Sequence, residues 1–102
     1  MVQKKIKTVE WTDDAENQFD EIMEKLSEEA PEAVPIVGNA LLDMIESLSA
    51  GYDHHPPDRF KKNNRNIYRA AVVFSYRISY LVDKAHVYIL RIRHTSREPL
   101  NY

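Results

Sequence analysis

Apolar residues recur along this chain with two periods, and the change from one to the other divides it. Ala15, Phe19, Ile22, Met23 and Leu26 fall three or four apart, with Asp20, Glu21, Glu24 and Lys25 between them, which predicts an amphipathic helix of about five turns. Thr12 stands where an N-cap is needed, and Asp13, Asp14 and Glu16 suit the positive end of the helix dipole. Pro31 breaks this helix, and a second begins there or at Pro35. Its apolar set is Ile36, Val37, Ala40, Leu41, Met44, Ile45 and Leu48, and Ala50-Gly51 is its stop signal. Helices joined this tightly are expected to lie antiparallel as a hairpin, their stripes packed into a core.

After Gly51 the period changes to two. Adjacent prolines make Gly51 to Asp58 a loop, and the basic segment Arg59 to Asn66 is either a short strand with a turn at Asn63-Asn64 or a basic loop. Ile67 to Val73 and Tyr76 to Val82 read as strands reversing near Phe74-Ser75. In the second, Tyr76, Ile78, Tyr80 and Val82 share one face, and Arg77 and Ser79 share the other. Asp83-Lys84-Ala85 turns the chain into a last strand from Val87 toward Arg97. Strict alternation there sets Tyr88, Leu90 and Ile92 on one side and Arg91 and Arg93 on the other with Val87 and Ile89. Lys4 to Trp11, β-branched residues among lysines, reads as a short edge strand that pairs with a later one. The fold class expected is α+β: an N-terminal strand, an antiparallel helical hairpin, then a three- to four-stranded antiparallel sheet. The hairpin covers one sheet face, and Arg77, Arg91 and Arg93 are candidates for the other, partly open one.

Composition narrows the setting. A chain of 102 residues, 43% hydrophobic, suits one domain over residues 1–102. With no cysteine there is neither a disulfide framework nor a thiolate zinc site, so a cytoplasmic location is expected. No run of about 18 apolar residues and no apolar leader stands out, so no membrane role is expected. The net charge of −2 conceals a split: residues 1–58 hold 4 Lys/Arg against 14 Asp/Glu, and residues 59–102 hold 10 against 2. A basic C-terminal half suits an anionic partner, either nucleic acid or an acidic protein segment. Arginines on a strand fit planar anions, although they also serve simply to solvate an open sheet face. Adjacent His54 and His55 point apart on an extended backbone, and two glycines in all leave no phosphate-cradling loop, so neither metal nor cofactor is expected.

Three stretches carry a resemblance: Trp11-Thr12-Asp13-Asp14-Ala15 opening the first helix, Tyr76-Arg77-Ile78-Ser79-Tyr80, and Val87 through Pro99 with its His94-Thr95-Ser96-Arg97-Glu98-Pro99 ending. In order and spacing they resemble the RelE/ParE superfamily, the toxin half of bacterial type II toxin–antitoxin pairs linked to plasmid stabilisation and growth arrest. The resemblance implies a cognate antitoxin whose C-terminal segment wraps the toxin, and a toxin–antitoxin hetero-oligomer. It leaves two targets. ParE-like members inhibit DNA gyrase by binding, and RelE-like members cut messenger RNA on the ribosome. In a nuclease, Arg77 matches the phosphate-contacting arginine, with His94, Glu98 and Tyr102 as possible acid–base groups. RelE-like enzymes carry lysines on the strand before, where this chain has Tyr68 and Ala70, so the ParE-like branch is the one expected. On that reading Arg69, Arg77, Arg91, Arg93 and Arg97 are the candidates for target or antitoxin binding, and no catalytic residue is assigned.

Overall fold

The computed structural model describes residues 5–65 and 67–97, the side chain of Arg97 excepted. Strand β1 (Thr8–Trp11) leads into helix α1 (Asp13–Glu29), a 3-10 turn (Pro31–Ala33) and helix α2 (Val34–Gly51). Strands β2 (Tyr68–Val73), β3 (Tyr76–Val82) and β4 (His86–His94) follow, then a 3-10 turn at Thr95–Arg97. The strands make one sheet in the order β1-β4-β3-β2. Residues 53–65 form the loop alternative, with a bridge to the sheet edge between Pro57 and Arg69.

The β2–β3–β4 strands form the expected antiparallel sheet, and β1 joins it parallel to β4, Thr8 opposite His86 and Trp11 opposite Ile89, which makes the four-stranded sheet mixed. Only strands joined by tight turns must reverse direction, and β1 is separated from β4 by both helices and the β2–β3 hairpin. Lys7 fastens the approach to this pairing. Its ammonium reaches the carbonyls of Asp83 and Lys84 and lies 4.6 Å from the Tyr52 ring centroid, while its backbone N–H donates to Ser49 O at 2.9 Å.

Thr12 caps α1, accepting from Ala15 N–H at 3.2 Å. Its own N–H donates to Ile89 O at 3.1 Å and its hydroxyl points at the same carbonyl at 2.7 Å, so one residue starts the helix and ties it to β4. The core joins Ala15 of α1, Leu41, Ile45 and Leu48 of α2, and Ala71, Ile78, Tyr80, Val87, Ile89 and Ile92 of the sheet. Gly38 lets the helices approach: a Cβ there would stand 3.1 Å from Met23 Sδ. Ile36, counted in the α2 stripe, is instead 61% exposed, because it precedes the turn of helix that meets the sheet. Pro31–Gly51, 21 residues, has an 18-residue window of mean hydropathy 1.2 and so is long and apolar enough to cross a membrane by length and composition, as the core helix of a soluble protein also can be. Glu32, Asp43 and Glu46 interrupt it, and its Leu41, Ile45 and Leu48 lie in the core.

Alternation holds on β3, where Tyr76, Ile78, Tyr80 and Val82 all meet the core. On β4 it breaks. Tyr80 pairs with Ile89 but Ser79 pairs with Arg91, so Leu90 is an extra residue and the strand is bulged there. Val87, Ile89 and Ile92 therefore share the core face, and Arg91 and Arg93 lie opposite them. Strict alternation had grouped these arginines with Val87 and Ile89, and the bulge overturns that grouping.

Candidate functional site: the arginine face of the sheet

The face turned away from the helices brings together three of the arginines singled out in the sequence. Arg77 stands opposite Arg93 across β3 and β4, and Ser79 stands opposite Arg91. The bulge at Leu90 is what aligns them. Were Leu90 paired in regular alternation instead of bulged, Arg91 and Arg93 would turn to the core face and Ile92 away from it.

Arg77 nevertheless does not stand open, and in this the sequence expectation is corrected. It is 8% exposed, and its Nη2 donates to Asp58 Oδ1 at 2.7 Å, with the Asp58 side chain fully buried. Above it lies the Phe60 ring, 4.7 Å from the guanidinium carbon, and Arg59 approaches the same ring at 4.8 Å. The loop from 53 to 65 acts as a strap that delivers both groups. Pro56 O accepts from Ala70 N–H at 3.2 Å, and Asp58 N–H donates to Tyr68 O at 2.9 Å. Asp58 Oδ1 also accepts the N–H of Phe60 at 3.0 Å, a short turn that aims the ring inward. Asn64 closes the strap, its amide donating to Asp58 O and Tyr68 O and accepting from Tyr68 N–H at 3.2 Å. Asn63 takes the left-handed conformation, φ 56°, that this reversal requires.

Beside the strap the face opens into a groove of about 500 Å³. Tyr68, Leu81 and Leu90 are its apolar lining, Lys61, Arg91 and Arg93 its cations, and Thr12, Asp14 and Gln18 the rim at the start of α1. Lys61 Nζ sits 4.7 Å from the Tyr68 ring centroid. A second groove, about 490 Å³, lies between α1 and the exposed end of β4, with Ile22, Leu26, Tyr76 and Ile92 as apolar lining. β1 ends opposite Ile89, so past that point the Gln18 amide oxygen takes over and accepts the Ile92 N–H at 2.8 Å. Arg93 lines both grooves.

The remaining candidates are dispersed. Arg69 pairs with Tyr80 in register and so belongs to the helix-side face, where its Nη1 donates to His55 O at 2.6 Å. Burial there pushes the Tyr80 hydroxyl up to about 12, and desolvation, with His54 and Arg69 nearby, lowers His55. His94 lies on the core side of β4 beside Ile92, edge-on to Tyr76 at 5.3 Å. Its Nδ1 accepts from Ser96 N–H at 3.1 Å, so the neutral ring carries its proton on Nε2. The backbone of Arg97 is in the last 3-10 turn, and Glu98 and Tyr102 lie outside the described residues. Tyr68 and Ala70 do fall on the arginine face, Tyr68 under Lys61 and Ala70 buried against Ser79. Asp58 and Phe60 were not foreseen. The available signal was that Asp58 is the single acid between His54 and Val82.

The sequence matches the family model of the ParE toxin of type II toxin–antitoxin systems, parDE, over residues 9–99. The chain belongs to the ParE toxin family. No curated protein matches it in sequence. Among solved structures, this ParE-family chain is similar to the chromosomal ParDE toxin–antitoxin system from P. aeruginosa, at TM-score 0.71 and 15% identity over 88% of this chain and 97% of that one. It is also similar to the RelBE2 toxin–antitoxin complex from Mycobacterium tuberculosis, at TM-score 0.62 and 21% identity over 87% and 98%. At these identities the likeness is one of fold. This ParE-family fold is an α+β domain with a mixed four-stranded sheet, and the chain is a toxin of the RelE/ParE superfamily.

Proposed function

We propose that this chain arrests bacterial growth by binding and trapping DNA gyrase in the cytoplasm, without bond-breaking chemistry of its own, and that a cognate antitoxin neutralises it. As a plasmid-stabilisation or chromosomal pair, the two proteins would form a hetero-oligomer. Membership of the ParE family supports the gyrase target. The observation that carries the non-catalytic reading is the Asp58–Arg77 pair. Messenger RNA cleavage needs cations free to meet a crowded phosphate, together with a base for the 2′-hydroxyl and an acid for the leaving oxygen. Here the arginine matching the phosphate contact is buried and already holds a carboxylate, and Tyr68 and Ala70 put no charge beside it.

Induced expression without antitoxin tests this reading, with growth, DNA damage response and message integrity followed together over minutes. Filamentation and DNA damage with intact messages, and inhibition of supercoiling by purified gyrase, are the expected results. Rapid message cutting without DNA damage overturns it in favour of a RelE-like ribosome-dependent endonuclease. That alternative rests on Arg77 and His94, with Tyr102 as a third group.

A further inference from the structure

Arg93 is the least satisfied cation on the sheet. It is half-buried, its Nε is fully enclosed without a hydrogen-bond partner, and it has no carboxylate partner among the described residues. Arg77, directly opposite, has Asp58; Arg93 has nothing equivalent. An enclosed guanidinium N–H left unmatched is costly, and the cost falls when an acceptor arrives from outside. Arg93 also lines both grooves, as Gln18 of α1 does, and of the two it is the one that carries a charge.

We propose that Arg93 receives a carboxylate side chain from an extended or helical segment of the antitoxin, whose apolar neighbours enter the two grooves on either side. This rests on the toxin–antitoxin reading and adds to it the site and chemistry of capture. The lining favours protein over nucleic acid. One groove is floored by Tyr68, Leu81 and Leu90 and the other by Ile22, Leu26 and Ile92, surfaces that suit apolar side chains. The α1 wall contributes Asp14 to the first groove and Glu21, Lys25 and Glu29 to the second, acidic on balance, which disfavours a run of phosphates along it. A segment with one acid between apolar residues meets the cation and avoids the acidic wall. The fork of Arg93 fixes where that acid sits.

The test is the dissociation constant of the purified toxin for the antitoxin encoded with it, measured for wild type, Arg93→Ala, Arg93→Lys and Lys62→Glu. Truncating one partner of an enclosed charge pair is expected to weaken binding by roughly 30-fold or more. Arg93→Lys should fall between, and Lys62→Glu, an exposed change on the strap, should stay within about two-fold of wild type because surface charges contribute little. Should Arg93→Ala fail to fold by circular dichroism, Arg93→Gln makes the same comparison. Rescue of Arg93→Glu by replacing one acid of the antitoxin with Lys completes the expected result. The proposal is overturned if Arg93→Ala binds antitoxin as wild type does, or if Lys62→Glu weakens it equally. It is also overturned if Arg93→Ala abolishes binding of a single-stranded RNA oligonucleotide while leaving antitoxin affinity intact. Failure of the wild-type chain to bind antitoxin at all removes the toxin–antitoxin reading itself, a different result from an insensitive Arg93.

Discussion

Asp58 and Arg77, 19 residues apart, meet at 2.7 Å with almost no solvent around either. The pair is the hinge between strap and sheet, since the carboxylate that holds Arg77 also turns the backbone at Phe60. Removing one member of a buried pair leaves the other charged and enclosed, so Asp58→Ala is expected to cost about 3–5 kcal/mol in urea unfolding. Asp58→Ala combined with Arg77→Met removes both charges and should cost clearly less than the sum of the two single changes. Additive losses would mean the two side chains do not act as a pair.

The bulge makes an unusual deletion tolerable. Without Leu90, simple alternation from Val87 and Ile89 keeps Ile92 in the core and Arg91 and Arg93 opposite it. The variant should fold, losing about 1 kcal/mol with the hydroxyl contact of Thr12 to Leu90 O. An alanine inserted between Arg91 and Ile92 should instead reverse the facing of Ile92 and leave the protein insoluble. Equal solubility of the two variants would show that the register is not fixed as described.

Phe74 begins the two-residue turn between β2 and β3 with φ 52°, and its ring is 63% exposed. Left-handed backbone is unfavourable for an aromatic residue and mild for asparagine, as Asn63 in the same chain illustrates. Phe74→Asn is expected to raise stability by about 0.5–1 kcal/mol, read as a higher denaturation midpoint with unchanged slope. A lower midpoint would mean that the ring contributes packing beyond its visible contacts.

Asp83 accepts the N–H groups of Ala85 and His86 at 2.9 and 2.6 Å, and these bonds hold its carboxyl below the ordinary 3.8. A lowered folded pKa means a contribution fully present above 3.8 that is lost as pH falls through the folded value. Asp83→Ala should therefore lower stability at neutral pH and flatten the acid limb below 3.8. An unchanged acid limb would place its origin elsewhere.

Tyr80 gives the opposite sign. Its hydroxyl donates to Tyr52 O at 2.8 Å, and burial raises its pKa from 10.0 to about 12. Its contribution is complete below 10.0 and declines as pH rises toward about 12. Tyr80→Phe should lose about 1 kcal/mol at neutral pH and show a weaker alkaline decline across that window. Parallel alkaline curves for the two proteins would exclude Tyr80 as the titrating group.

Local rules made much of this fold readable. The Thr12 cap, the faces of β3 and the reversal at Phe74-Ser75 each depend on residues only a few positions apart. What escaped depends on pairings over distance. Alternation cannot anticipate that Ser79 and Tyr80 face three residues of β4 instead of two, and hence which way Arg91 and Arg93 turn. Asp58, set between Pro57 and Arg59, looks like any turn residue until the strap folds over β3. The parallel β1–β4 pairing, beside which Thr12 and Ile89 meet from 77 positions apart, leaves no local mark.

The position of β4 between β1 and β3 also sets an order in time. It is synthesised after every other strand, yet the sheet has no continuity without it, since β1 touches no other strand. During translation the apolar stripes of α1 and α2 must wait without their principal cover, and the first strand made is among the last to dock. A ParE-family chain built this way is assembled only once residues 86–94 have emerged. The nascent chain thus presents its arginine face as a formed surface only after β4 has emerged.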